Sequence, residues 1–263
     1  MLISCQTHFN SRHALCEYVT NLSAQQNTKP SHFLGGYQAA QQKLVDISPK
    51  EYAATRNYLS GKVTQLSPYL RHGIVSVEAI LDHLMSLSTI EDQEKLLQQL
   101  MWRGFFHQIH LAQPDRVWQD HEHYKTGFAS QNYAQQLPED IQQGKTGVRI
   151  IDQMIQTLLT TGYLHNHSRL YLASYIVHWR RIAWQAGAQW FLQHLLDGDI
   201  ACNNYSWQWV ASTFSAKPYV FNLDNVRLFA QGVLDTEDVS NQVFDKSYDE
   251  LRQNLFPNFA GNL

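Results

Sequence analysis

The chain has 263 residues, 44% hydrophobic and 12% aromatic, with seven Trp and thirteen Tyr. That supplies a substantial core, and charged residues at only 16% exclude the composition of disorder. The formal charge of −3 excludes nucleic-acid binding by bulk basicity, so any such surface needs its cations gathered on one face.

The first thirty residues are rich in Asn, Gln, Ser and Thr and read as a loosely specified helical extension, placing residues 1–29 apart from a main domain over 30–263. No apolar run is long enough to span a membrane, and nothing at the N-terminus has the apolar core of a signal peptide. Cys5, Cys16 and Cys202 form no paired motif and cannot supply four thiolates to a metal or cluster. No metal site and no disulfide framework are expected, and a reducing cytoplasm fits.

Next in order is Val63-Thr64-Gln65-Leu66-Ser67-Pro68-Tyr69-Leu70, a turn before a helix. Its hydroxyls are ordinary caps, or they cradle a phosphate. Leu96, Leu97, Leu100, Met101, Phe105 and Ile109 recur at helical spacing and predict a helix over 92–112, stopped by Pro114. It carries Gln99, Trp102 and Arg103, an aromatic core face or the wall of a site. Residues 113–144 are polar and Gln-rich and read as a surface excursion. Val148, Ile151, Met154, Ile155, Leu158 and Leu159 predict a further helix, with Gly162 as its stop. A third is predicted over 168–186, capped by Ser168 and ended by Gly187, apolar on more than one face and therefore buried. Tyr219-Val220-Phe221 is the best strand candidate. Strand–helix alternation and a G-x-G-x-x-G are absent, so the fold class is all-α.

The densest polar cluster lies in residues 195–209, LLDGDIACNNYSWQW. One reading is an Asp-Gly turn that caps a helix of core aromatics. The other follows from Asn166 and Arg169 at the entry of the buried helix. A buried Arg needs a carboxylate, and Asp197 or Asp199 is available. Donors and acceptors in an aromatic core suit a heteroaromatic cofactor.

Four stretches carry a resemblance: 63–73 (VTQLSPYLRHG), 100–106 (LMWRGFF), 144–170 (GKTGVRIIDQMIQTLLTTGYLHNHSRL) and 195–212 (LLDGDIACNNYSWQWVAS). Gly35-Gly36-Tyr37 and Tyr52 with Arg56 add weaker landmarks. In order and spacing, from about residue 30 to 225, the chain resembles the FAD-binding domain of the DNA photolyase/cryptochrome family.

The resemblance implies a helical domain that binds FAD. Tyr52, Thr64, Gln65, Leu66 and Ser67 would hold the phosphates and ribityl chain. Arg103, Asn166, Arg169, Asp197 and Asp199 would surround the flavin, with Asn203 against its N5. Trp207 and Trp184 would be two members of a tryptophan chain that photoreduces it. The implied activity is blue-light-driven splitting of cyclobutane pyrimidine dimers in damaged DNA, with single-stranded DNA a candidate preference. Trp102 and Trp209 would wall the lesion, with Gln99, His167 and Leu170 at the DNA. The alternative is a cryptochrome-like photoreceptor without repair.

The departures are specific. Gln99 stands where dimer photolyases carry Glu, and it cannot bear a charge. The two histidines of (6-4) photolyases would fall at Asn166 and Leu170, which disfavours that chemistry. His167 replaces an Arg expected at a phosphate. The outer tryptophan of the chain falls at Gln131, with Phe128 and Tyr133 nearby, so Tyr133 is the candidate terminal donor. The tail at 244–251 lacks the family's usual closing motif. The family's N-terminal antenna domain has no counterpart, and no antenna chromophore is expected.

Overall fold

Helices follow one another along the whole described chain, and no strand is present among the described residues. The computed structural model describes residues 5–22, 31, 33–87 and 90–259. It divides into two compact units, 1–34 and 35–263. The first carries α1 (Arg12–Leu22), with no buried residue.

The second unit opens with α2 (Tyr37–Val45), α3 (Pro49–Thr55), α4 (Ser67–Arg71) and α5 (Val77–Leu87). The long α6 (Ile90–Ala112) packs against α3 and, further on, against α11 (Ile200–Ala211). After α7 (Glu139–Gln143) comes α8 (Arg149–Thr161), the clearest sequence-encoded helix. Ile150, Ile151, Met154, Ile155 and Leu158 are buried on one stripe, and Gln156, Thr157 and Thr160 face water. Gly162 ends it in the left-handed conformation (φ 68°), which a residue without Cβ adopts at no steric cost.

The predicted third helix is two helices. α9 (Asn166–Ser174) runs into a π-helical turn, Tyr175–Trp179, and the chain breaks before α10 (Trp184–His194). The cause is tertiary. At the break Arg181 is left-handed (φ 51°), its carbonyl accepts from the Ala134 N–H, and the Ala183 N–H returns to the Ala134 carbonyl. Backbone groups that a continuous helix would pair internally are satisfied by the 113–144 segment. That segment is therefore more than a surface excursion, for it buries Val117, Tyr124, Thr126, Tyr133 and Ile141.

Ser168 is not the cap of α9. His165 is, its Nδ1 accepting from the His167 N–H at 3.1 Å. Gly187 ends nothing. It lies within α10, where an added Cβ would come within 2.3 Å of the Trp207 ring. Tyr219-Val220-Phe221 is not a strand either: the Tyr219 N–H donates to Val210 and its carbonyl accepts from Ser174. The chain closes with α12 (Leu223–Ala230) and α13 (Tyr248–Leu255).

The main core joins α8, α9, the π turn, α10 and α11. α11 carries Asn204 and Gln208 fully buried, each hydrogen-bonded to the 113–144 segment or the α11 C-terminus: Asn204 to the Val117 carbonyl, Gln208 to the His121 N–H and the Thr213 hydroxyl. α11 buries residues on most of its circumference, and such a helix has little amphipathic signature. No helix among the described residues is long and apolar enough to cross a membrane.

Candidate functional site

A cavity of about 320 Å³, within the size range of small-molecule sites, lies between α4, α6 and the α9–α11 region. Three separated pieces of sequence supply its polar wall.

The first is the turn Thr64-Gln65-Leu66 and Ser67, the first residue of α4, with Tyr52 of α3 also in the lining. Gln65 holds a left-handed backbone (φ 52°) with its Oε1 accepting from Lys43 Nζ at 2.6 Å. A non-glycine residue in that region costs about 1–3 kcal/mol and persists only where its surroundings fix it, commonly at a site.

The second is α6, which presents Gln99, Trp102 and Arg103 over one turn. Arg103 donates to Asp199 Oδ2 at 3.2 Å and to Cys202 Sγ at 3.6 Å. One turn on, His107 Nε2 lies 2.9 Å from the same Asp199 oxygen.

The third runs from α9 into α11. Arg169 donates to Asp197 Oδ2 at 2.8 Å and to the Leu164 carbonyl, and its guanidinium lies 5.4 Å over the Tyr163 ring. Asp199 is the N-cap of α11, its Oδ1 accepting from the Cys202 N–H. Asp199 is thus a helix cap and also a wall of the cavity. The loop between is braced by Arg71 and His72, which bond the Gly198 and Leu196 carbonyls, and by the Leu196 N–H on Gly162.

The electrostatics follow from these contacts. Burial would raise the Asp199 carboxyl, but the Cys202 N–H, Arg103 and His107 outweigh it and hold it below its ordinary value. Burial, reinforced by Asp199, pushes the Cys202 thiol up to about 12, so it stays protonated. His107, Asp199 and Cys202 bring ligand atoms within 4.8 Å of one another, as a cation site would. The Arg103 guanidinium, bonded to two of the three, already supplies the positive charge there.

One polar atom is left over. Asp197 is 7% exposed, and its Oδ1 is buried with no hydrogen-bond partner among the described residues. An orphaned carboxylate oxygen at a cavity wall requires a donor from whatever fills the cavity. Asn203 points the same way. Its amide hydrogens go to the Ala188 carbonyl and Asn204 Oδ1, and its own carbonyl accepts from no group among the described residues. A ring with N–H donors and acceptors, flanked by two guanidinium groups, fits this set; an apolar ligand does not.

Of the residues singled out in the sequence, Tyr52, Thr64, Gln65, Leu66, Ser67, Gln99, Trp102, Arg103, Asn166, Arg169, Leu170, Asp197, Asp199, Asn203 and Trp207 all line this one cavity. Trp184, His167 and Trp209 do not. Trp184 is buried beyond it. His167 bonds the Asn57 carbonyl and stacks on Tyr171, 4.6 Å between ring centroids. Trp209 is 41% exposed and packs on Tyr219. Tyr163, Cys202, Ser206 and Phe106 line the cavity but were not singled out, and His107 was missed altogether. The signal for His107 was its place one helical turn after Arg103.

The family model for the FAD binding domain of DNA photolyase matches residues 96–239. The deoxyribodipyrimidine photo-lyase of Streptomyces griseus is 32% identical over 197 residues, 72% of this chain and 41% of that protein. That of Escherichia coli K12 is 35% identical over 142 residues, 48% of this chain and 27% of that protein. The chain thus spans less than half the length of these relatives. Among solved structures, an archaeal photolyase from Sulfolobus tokodaii with two FAD molecules superposes with a TM-score of 0.69 at 22% identity, over 89% of this chain and 58% of that one. A Synechocystis cryptochrome gives 0.65 at 22% identity, over 86% and 49%. The fold, the sequence match and the composition of the cavity agree: this chain belongs to the DNA photolyase/cryptochrome family and carries its FAD-binding domain.

Proposed function

We propose that this chain is a FAD-dependent, blue-light-driven repair enzyme that splits cyclobutane pyrimidine dimers in damaged DNA, with single-stranded DNA as its preferred form. The observation that carries the reading is that one cavity is lined both by the residues expected around FAD and by Gln99, Trp102 and Leu170, expected at the lesion. When bound and reduced, FAD supplies the light absorption and the electron that breaks the dimer.

The chain's residues do the rest. Arg169 and Arg103 would hold positive charge beside a bound flavin while Asp197 and Asp199 keep the site close to neutral. Asp197 Oδ1, without a partner among the described residues, would accept from a ring N–H. The Asn203 carbonyl would be placed to accept from a protonated N5, adding no charge there. Thr64 and Ser67 offer hydroxyls to the phosphates.

On the DNA side, Trp102 is 46% exposed at the rim and offers a stacking face to an extruded base, which contributes about 1–3 kcal/mol per base. Extrusion costs a few kcal/mol and least from a damaged or single strand, so one aromatic wall goes furthest toward offsetting it there. Gln99 can both donate to and accept from the pyrimidine edge. Such a protein works in the cytoplasm, where DNA and a reduced cofactor pool coexist.

Dimer-containing oligonucleotides, single- and double-stranded, incubated with the chemically reduced holoprotein under blue light, test the proposal. Light-dependent loss of dimers, faster in single strands, is expected. Intact dimers with retained FAD would leave the cryptochrome-like photoreceptor. One observation favours that rival: His167 and Trp209, both expected at the DNA, stand outside the cavity.

A further inference from the structure

Beyond the cavity, a second aromatic arrangement leads to the surface. Trp207 lines the cavity, and its ring lies over Gly187 and against Phe191, 4.9 Å between centroids. Trp184 is one turn before Gly187 on the same face of α10. Trp184 is fully buried, and its indole N–H donates to Asp120 Oδ1 at 2.7 Å. Its ring is stacked on Trp118, centroids 6.3 Å apart and planes within 3° of parallel. Trp118, the last residue of the 3-10 turn Pro114–Trp118, is 36% exposed. Three indoles therefore run from the cavity wall to water.

The other possible ends of this path are less suited. Gln131 carries no aromatic ring. Tyr133 is buried, its hydroxyl paired with Thr126 Oγ1 at 2.8 Å and its ring stacked on buried Tyr124, 4.2 Å between centroids. Burial raises the pKa of both phenols, which opposes the proton loss that accompanies phenol oxidation. Neither is open to a soluble reductant.

We propose that Trp118 is the terminal electron donor of this chain, taking the place of the outer tryptophan absent at Gln131. The proposal rests on the FAD reading above. For each electron drawn from Trp207 into the cavity, Trp184 refills Trp207 and Trp118 refills Trp184. Oxidised Trp118 gives its indole N–H proton to water. A soluble thiol returns one electron and one proton to it, and two such thiols join as one disulfide.

The test compares Trp118→Phe, Tyr133→Phe and the unaltered holoprotein under blue light with a thiol reductant, following flavin bleaching and the transient absorption of tryptophan radicals. Trp118→Phe is expected to slow bleaching about tenfold or more and to shorten the radical lifetime, with bound FAD unchanged. Tyr133→Phe is expected to change neither. Near-ultraviolet circular dichroism of the same proteins without cofactor reads the stacked pair itself: Trp118→Phe is expected to change the indole signal more than Tyr133→Phe changes it. Bleaching at the unaltered rate in Trp118→Phe, or slowing by Tyr133→Phe alone, overturns the proposal while leaving the FAD reading intact. An unaltered protein that retains no FAD overturns both.

Discussion

Asp197 and Arg169 form the best-buried ion pair of the site, with side-chain exposures of 3% and 23%. Asp197→Asn keeps the shape and removes the counter-charge, leaving a largely buried guanidinium uncompensated. That change is expected to lower stability by about 3 kcal/mol, read as a shift in urea midpoint, and to abolish FAD retention. A midpoint equal to that of the unaltered chain would show the pair to be solvent-screened. Histidines set the pH response. Burial lowers His165 from 6.5 to about 4 and His178 to about 3. Both stay neutral in the fold and charge when it opens, so the unfolded chain binds more protons below pH 6.5 and stability falls with pH. Protonation would also cost His165 the lone pair that caps α9. The urea midpoint is expected to drop between pH 7.5 and pH 5, above the ordinary carboxylate range; a flat profile contradicts this. At the cavity rim, Trp102→Ala is expected to weaken binding of dimer-containing single strands by about 1–3 kcal/mol without loss of FAD.

Two glycines test how the helices are placed. Gly104 on α6 is exposed with open space where a Cβ would go, so Gly104→Ala is expected to stabilise by about 0.5–1 kcal/mol. Gly187 on α10 meets the Trp207 ring, so Gly187→Ala forces the helix or the indole to move. Overpacking costs about 1–3 kcal/mol and outweighs alanine's propensity gain. Opposite shifts in urea midpoint check the pair; stabilisation by both would mean that α10 and α11 are not in close contact. The same glycine shows where sequence reading stops. A Gly after a long apolar run reads as a helix end, and its close approach to a ring twenty residues away cannot be seen. The break between α9 and α10 is likewise made by Ala134, nearly fifty residues earlier. α8 was legible because one stripe and a terminal Gly specify it locally.

For the whole molecule, the cavity was legible to the extent that its residues sit in contiguous motifs. The 195–209 cluster and the turn at 63–70 each carry several of its polar groups together. His107 and Trp118 escaped notice because their partners, Asp199 and Trp184, are far away in sequence. The net charge of −3 keeps its weight. Phosphate contacts supply much of the affinity for DNA, so the proposed DNA contact needs cations gathered on one face. The proposed chemistry requires that this helical unit hold the flavin by itself. The purified chain, titrated with FAD and followed by visible absorbance after removal of free ligand, is expected to retain one FAD per chain and to gain thermal stability as FAD is added. A folded but colourless chain, unchanged in melting temperature at saturating FAD, would contradict the account.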